Sequence, residues 1–393
     1  MSTDNKTYTK AQIALIAAFC AVLGIIFVLL LTLPKHTGEL SALEFRVLAD
    51  HPISGKSADK LLEDTVRGEL SSNVDAFLED HYPARSFLIA LNSYYQRLTG
   101  RNANQSVIWG RNGRLFDAPL PADTTALDGN VKQINDFSEA NGLKTCIVEV
   151  PTSALVCTDS LPAVHPDYHD GEFVKRIEAD TKAYVPDLAE LYRSQEDVES
   201  LFYRTDHHWT MEGAYVCYAD LCSRLGITPV SRDAFTVENY EFFGSYYREA
   251  GLWLTKPDAL EVWRNDLLDS MTVTIGAADK AVVHEGVYDD EKLDEGNVDK
   301  YAAYVYSNNG LTVIENPQGN GQSLMLVKDS YGNSIAPLFA MNYSRVVMID
   351  TRYYRDPSLP LPSELAEQYG IENLVVVFGT EAMATDSQIF YLR

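Results

Sequence analysis

A chain of 393 residues that is 46% hydrophobic and 22% charged can bury a sizeable core, and this composition excludes a disordered polymer. Its 32 Lys and Arg stand against 56 Asp and Glu, a formal charge of −24 that repels phosphate backbones and argues against nucleic acid as a partner. The 23 tyrosines suit either an aromatic core or a surface on which sugar rings stack.

In chain order, residues 1–10 read as a cytoplasmic N-terminus and 11–34 as a transmembrane signal anchor. Ala11 to Leu33 holds no charged residue and only Gln12 and Thr32 are polar, which is enough apolar length to cross a bilayer as a helix. Thr32-Leu33-Pro34-Lys35 is a poor cleavage site, so retention is favoured. Lys6 and Lys10 before the span and Lys35 after it give a weak positive-inside signal; the long acidic remainder places the domain outside the cytoplasm. Of five cysteines, Cys20 lies in the span. Cys146, Cys157, Cys217 and Cys222 read as buried thiols or as exocytoplasmic disulfides, and with no C-x-x-C pair a thiolate zinc site is not expected.

A linker at 35–60 leads into the domain at 61–393. Leu61–Leu78 and Ser86–Leu98 carry apolar residues at helical spacing, interrupted at His81-Tyr82-Pro83-Ala84-Arg85. Ser106–Phe116 reads as a hairpin turning at Asn112-Gly113. A strand at Thr145–Val150 follows, then a helix at Glu172–Ala183, a strand with a helical turn at Val185–Tyr192, and a helix at Glu212–Leu225 closed by Gly226. Leu324–Val327, Arg345–Ile349 and Asn373–Phe378 are further short apolar runs. Their alternation with helical stretches predicts an α/β fold: a parallel sheet covered by helices on both faces. A β-rich insertion is expected at about 235–322, with strands at Thr272–Ile275, Ala281–Val283, Tyr301–Tyr306 and Leu311–Ile314.

Two segments carry chemistry. In Thr205-Asp206-His207-His208-Trp209-Thr210, an extended backbone would point Asp206 and His208 the same way, letting the carboxylate orient the imidazole. His207 would then face the other side. A metal site is the rival for this cluster, and helix capping by Asp206 or Thr210 the plainer alternative. In Lys328-Asp329-Ser330-Tyr331-Gly332-Asn333-Ser334, Ser330 follows a buried strand and precedes a helix of Tyr331–Asn342. That position suits either a nucleophile or an N-cap. Together Asp206, His208 and Ser330 supply the parts of a serine acyltransferase or hydrolase, with no cofactor and no metal. Backbone N–H groups at Ser330 and Tyr331, with Arg352, are the candidate oxyanion donors. Tyr246-Tyr247-Arg248 and Tyr353-Tyr354 are candidates to line an acceptor groove, Tyr247 among them for substrate binding.

Asp206-His207-His208-Trp209, Lys328-Asp329-Ser330-Tyr331-Gly332-Asn333-Ser334 and Ile349-Asp350-Thr351-Arg352-Tyr353-Tyr354 together resemble the bacterial DHHW proteins. Those proteins are similar to the SGNH-hydrolase-like alginate O-acetyltransferases of bacterial envelopes. The resemblance runs from about His81 to the last strand. It implies an SGNH-like fold, a catalytic serine at Ser330 with Asp206 and His208, and O-acetylation of a cell-envelope or secreted polysaccharide. A multi-pass membrane acyltransferase would deliver the acetyl group. Lys328-Asp329-Ser330 lacks the glycine of a Gly-Asp-Ser block, and no Gly-x-Asn-Asp segment supplies an oxyanion asparagine. The alternatives are a carbohydrate acetylesterase and a non-catalytic envelope-binding or scaffold protein of the same fold.

Overall fold

The computed structural model describes residues 9–39, 41, 46–104, 107–120, 125–386 and 388–392. The chain divides into two compact units, Met1–Thr99 and Gly100–Arg393. Lys6 with the rest of 1–8, parts of the expected linker, and Ser106 lie outside the described residues.

In the first unit a helix spans Lys10–Thr32, capped by Thr9, whose backbone N–H donates to the Gln12 side chain at 2.8 Å. It is long and apolar enough to cross a membrane, and none of its residues is buried. Three shorter helices follow, Ala58–Val66, Glu69–Asp80 and Arg85–Leu98. The single helix expected over Leu61–Leu78 is divided at Gly68, whose φ of 76° is left-handed and ends the first segment.

The second unit opens with a hairpin, β1 (Val107–Trp109) and β2 (Leu115–Asp117). Asn112 and Gly113 both have positive φ, as a tight hairpin turn requires. After the helix Thr125–Asn141 comes β3 (Lys144–Val150), then helices Phe173–Asp180, Leu188–Arg193 and Met211–Leu225. The strand expected from Val185 reduces to one bridge between Tyr184 and Cys146. Pro186 has no N–H to extend it, and Asp187 instead caps the next helix by accepting from Glu190 N at 2.9 Å. Among the described residues the ribbon of β4 (Thr236–Phe242) and β5 (Asp258–Arg264) pairs only with itself, flanking a short helix at Ser245–Ala250. Then come β6 (Thr272–Ile275), β7 (Val282–Glu285), β8 (Leu311–Glu315), β9 (Ser323–Lys328), the helix Gly332–Ala340, β10 (Arg345–Ile349), the helix Pro362–Gln368, β11 (Asn373–Gly379) and the helix Thr380–Thr385.

Seven strands form one sheet in the order β3-β11-β9-β10-β8-β6-β7. The first four are parallel. β8, β6 and β7 fall in the segment expected as a β-rich insertion and pair antiparallel, but they extend the main sheet instead of standing apart from it, so the sheet is mixed. The physical reason is connection length: β6 and β7 are joined by a short turn, whereas a parallel pair needs a crossover. The strand expected at Tyr301–Tyr306 is also corrected. Lys300–Ala303 is a 3₁₀ turn, and Val305, Tyr306 and Ser307 run left-handed at φ 46°, 60° and 74°, which no strand accommodates.

Side chains alternate across the parallel strands into two cores. Val148, Leu326, Met348 and Val375 face the helices Met211–Leu225 and Gly332–Ala340. Ile147, Met325, Val347 and Val376 face the helices Thr125–Asn141, Phe173–Asp180 and Pro362–Gln368. Both faces are therefore buried, which is why these strands read as unbroken apolar runs. Each such side chain contributes about 1.5–3 kcal/mol relative to exposure. Cys146, Cys157, Cys217 and Cys222 are buried free thiols.

Candidate active site

Ser330 lies just past the carboxyl end of β9, in the turn that enters the helix Gly332–Ala340. Asp329 builds that turn. Its Oδ1 accepts Tyr331 N at 2.9 Å and its Oδ2 accepts Gly379 N at 2.8 Å, tying the serine turn to the end of β11. Burial raises the Asp329 carboxyl, against the pull of Arg352 and of these two N–H groups. Gly332 is required by space: a Cβ there would come within 2.4 Å of Lys328 Cβ. The Ser330 hydroxyl takes no part in capping; Tyr331 is the N-cap and the helix start has no side-chain cap.

The partner loop leaves a bridge between Phe202 and Trp209 and doubles back through 203–208. It bends where an extended segment is expected. Asp206 Oδ1 accepts both His208 N at 2.9 Å and His208 Nδ1 at 2.6 Å, an Asx-type turn that brings the two side chains together by a different route from the one alternation predicts. Asp206 Oδ2 accepts Ser245 N at 2.7 Å. Gly244 permits this approach, since a Cβ there would lie 2.2 Å from Asp206 Cβ. Thr210 does cap the helix Met211–Leu225, accepting from Gly213 N at 3.3 Å, so the plainer reading of that residue also holds.

His208 Nε2 lies 2.7 Å from Ser330 Oγ, which completes a continuous Asp206–His208–Ser330 hydrogen-bond chain. With Nδ1–H directed at the carboxylate, Nε2 is the acceptor for the serine hydroxyl. Burial alone would raise Asp206, but the neighbouring His207 and His208 pull its carboxyl far below the usual carboxylate range, so it stays ionised. The His208 ring is sandwiched. Tyr301 stacks on it at 3.8 Å between centroids and 13° between planes, and His207 lies at 3.8 Å and 37°. His207 thus does not face away; its Nδ1 meets Ser245 Oγ at 2.9 Å. Burial and the charge of His208 lower its pKa.

Trp209 joins the two motifs. It is fully buried, donates Nε1–H to Ser334 Oγ at 2.7 Å, and meets Tyr331 edge-on at 5.5 Å. Tyr331 donates its hydroxyl to His207 O at 2.7 Å, and Tyr301 donates to Ser334 Oγ at 3.1 Å.

A cavity of about 270 Å³ opens in front of Ser330, lined among others by Asp117, His207, Tyr246, Tyr331, Arg352 and Glu381. Three expectations change here. The Tyr331 N–H is committed to Asp329 and is not an oxyanion donor, which leaves that of Ser330. Arg352 does line the cavity, but its Nε and Nη2 grip Asp350 at 2.9 and 2.7 Å. Tyr247 is not among the cavity's residues; it stacks on Phe243 at 4.3 Å, and its neighbour Tyr246 takes the lining position. Tyr353 is exposed, and Tyr354 is buried with its hydroxyl on Pro360 O.

Asp117, Ser245 and Tyr301 escape a reading of the sequence. Asp117 accepts the Tyr246 hydroxyl, and burial pushes its carboxyl up to about 6 against that bond. No short motif marks any of the three. Asp206, His207 and His208 present ligand atoms within 4.8 Å of one another, a cluster that could hold a cation. The donor set is already engaged: Asp206 Oδ1 and both His208 nitrogens belong to the chain that ends at Ser330.

A sequence profile described as "DHHW protein" matches residues 174–349. In three dimensions the chain is similar to a DHHW family protein from Eubacterium siraeum, at TM-score 0.60 and 18% identity over 73% of this chain and 97% of that one. PatB1 of Bacillus cereus, in a structure carrying a sulfonyl adduct, gives the same score and identity over 73% of this chain and 99% of its own. A looser likeness is to the O-acetyltransferase domain of Pseudomonas putida AlgJ, at TM-score 0.45 and 16% identity over 73% and 99%. No curated protein matches the chain in sequence.

Proposed function

We propose that this chain, which matches the DHHW profile over residues 174–349, is an SGNH-like O-acetyltransferase acting on a cell-envelope or secreted polysaccharide outside the cytoplasm. The observation that carries this reading is the hydrogen-bond chain from Asp206 through His208 to Ser330 Oγ at the mouth of a cavity. The resemblance of the sequence to alginate O-acetyltransferases supports a sugar hydroxyl as acceptor.

The reaction runs in two steps. His208 Nε2 takes the Ser330 hydroxyl proton as Oγ attacks the carbonyl of an acetyl donor, and Asp206 stabilises the imidazolium. His208 then gives that proton to the departing group, leaving acetyl-Ser330. A sugar hydroxyl enters, loses its proton to His208 and takes the acetyl group, and Ser330 Oγ regains the proton. The Ser330 N–H, and Arg352 through Nη1, are the donors for the oxyanion; losing one such donor costs about 3 kcal/mol in the barrier. In this reading the helix Lys10–Thr32 anchors the chain in the membrane, and a multi-pass acyltransferase supplies the acetyl group. Water in place of the sugar would give the acetylesterase alternative from the same residues. A scaffold would leave the aligned Asp–His–Ser chain without a role.

The test is acetyl release from an aryl acetate by the protein and by its Ser330→Ala variant. PatB1, of similar fold, has been captured with a sulfonyl adduct, so a sulfonyl fluoride is the matching covalent probe. Labelling of the wild type alone, together with loss of acetyl release in the variant, is the expected result. Equal rates and equal labelling in both proteins would sink the Ser330 mechanism.

A further inference from the structure

The cavity in front of Ser330 has an uneven charge, and that bears on what enters it. Asp117, Glu249 and Glu381 all line it, and the two glutamates lie close enough to raise the Asp117 carboxyl further. Asp117 Oδ2 accepts the Tyr246 hydroxyl, which fixes the carboxyl in place. The positive groups nearby are already matched. Arg352 holds Asp350 with two nitrogens, and Lys328 reaches the same Asp350 at 3.2 Å. Asp329, also on the cavity wall, sits beside that guanidinium. His207 is disfavoured as a cation by its burial and by His208. An incoming carboxylate or phosphate would therefore meet three side-chain carboxyls besides Asp329, and among the cavity's described residues the one guanidinium it could reach is Arg352, already paired through two nitrogens with Asp350. The formal charge of −24 on the whole chain acts in the same direction.

We propose that the acceptor is a sugar bearing no anionic group, neutral or carrying an ammonium, and that Asp117 accepts a hydrogen bond from it beside Ser330. This rests on the acetyl-transfer reading and narrows it: polyuronates and phosphate-bearing glycans are excluded as good acceptors. Asp117 is a specificity and positioning residue in this scheme. The serine, histidine and Asp206 perform the bond changes already described.

The experiment loads the full chain in detergent with acetyl from an aryl acetate and offers three tetrasaccharides of matched length. One is of N-acetylglucosamine, one of glucosamine and one of mannuronate. Transfer is counted by mass spectrometry. The neutral and cationic oligomers should be acetylated about tenfold faster than the uronate or better, and the gap should narrow as salt screens the repulsion. Asp117→Asn, and separately Glu249→Gln with Glu381→Gln, should raise the uronate rate relative to the neutral one. Calorimetric binding of the same oligomers to the Ser330→Ala variant should give the same order without any turnover. Uronate taken as readily as the neutral sugar, or a ratio indifferent to both salt and these variants, would overturn the acceptor assignment. Failure to form acetyl-Ser330 at all would instead overturn the acetyl-transfer reading, and the binding order would still judge the charge argument by itself.

Discussion

The turn carrying Ser330 and the loop carrying Asp206 and His208 meet at 2.7 Å but are held by different means. On the serine side the support is largely backbone: a strand feeds a helix, and Asp329 fastens the junction through two N–H groups, of Tyr331 and of Gly379. On the histidine side the support is largely side chains: the Asx turn of Asp206, the Tyr301 and His207 stacks, and the Trp209 bond to Ser334. Backbone support fixes where Ser330, the nucleophile of the proposed reaction, sits. Side-chain support fixes how the imbalance of charge around the imidazole is met and how its ring is oriented. The first should fail as a folding defect and the second as a rate defect.

The sharpest probe of the histidine side is His208→Ala, expected to lower kcat for aryl acetate by about 10⁴-fold or more, with Asp206→Asn close behind. Unchanged thermal stability in His208→Ala alongside that loss would keep the division intact; general unfolding would break it. On the serine side, Asp329→Ala strands two buried N–H groups and should cost about 2 kcal/mol or more of stability. A variant that kept its Tm yet lost activity would show that Asp329 acts on the chemistry, not on the turn.

Smaller effects sharpen the comparison. Tyr301→Ala removes the stacked ring and should cost about 10–100-fold in kcat through misorientation of His208. Tyr301→Phe keeps the ring, loses the hydroxyl's bonds to Ser334 Oγ at 3.1 Å and to Ser330 O at 3.4 Å, and should stay closer to wild type in kcat than Tyr301→Ala. Trp209→Phe deletes the Nε1–H to Ser334 and, belonging to the histidine side, should lower kcat by about 2- to 10-fold while costing no more than about 1 kcal/mol of stability, read as a small Tm shift.

The smallest effect is a pH dependence. The Asp117 carboxyl is raised to about 6, so folding favours its protonated form. Its ionisation destabilises the fold progressively as pH rises from the ordinary carboxylate range through 6. Asp117→Asn should therefore gain Tm relative to wild type at pH 7.5 and show little gain at pH 4. Asp206 has the opposite sign: depressed in the fold, it contributes stability above the ordinary carboxylate range that is lost as pH falls.

The two sides were also unequally legible in the sequence. β9, β10 and β11 stand out because strands buried on both faces read as short unbroken apolar runs. Ser330 follows from that, since the strand end and Gly332 frame it. Asp206 and His208 were legible as a pair, but the reason they meet was not: alternation suggests an extended segment, and the Asx turn depends on Ser245 N and Gly244, 39 residues on. Tyr301 was hidden because Tyr301–Tyr306 has the composition of a strand, and only backbone angles show otherwise. Arg352, expected as a second oxyanion donor, lines the cavity, but its ion pair with Asp350 depends on β10 ending where it does. Tyr246 and Tyr247 are indistinguishable in composition; the short helix Ser245–Ala250 decides which one turns inward.

The Trp209–Ser334 bond links residues 125 apart, and everything from β4 to β9 lies between them. Closing so long a segment carries an entropy cost that is met only when the ribbon and the antiparallel strands have found their places. Catalytic competence should then be among the last properties to return on refolding, after most of the secondary structure. A refolding time course would show circular dichroism recovering ahead of acetyl release from an aryl acetate, if the proposed reaction holds.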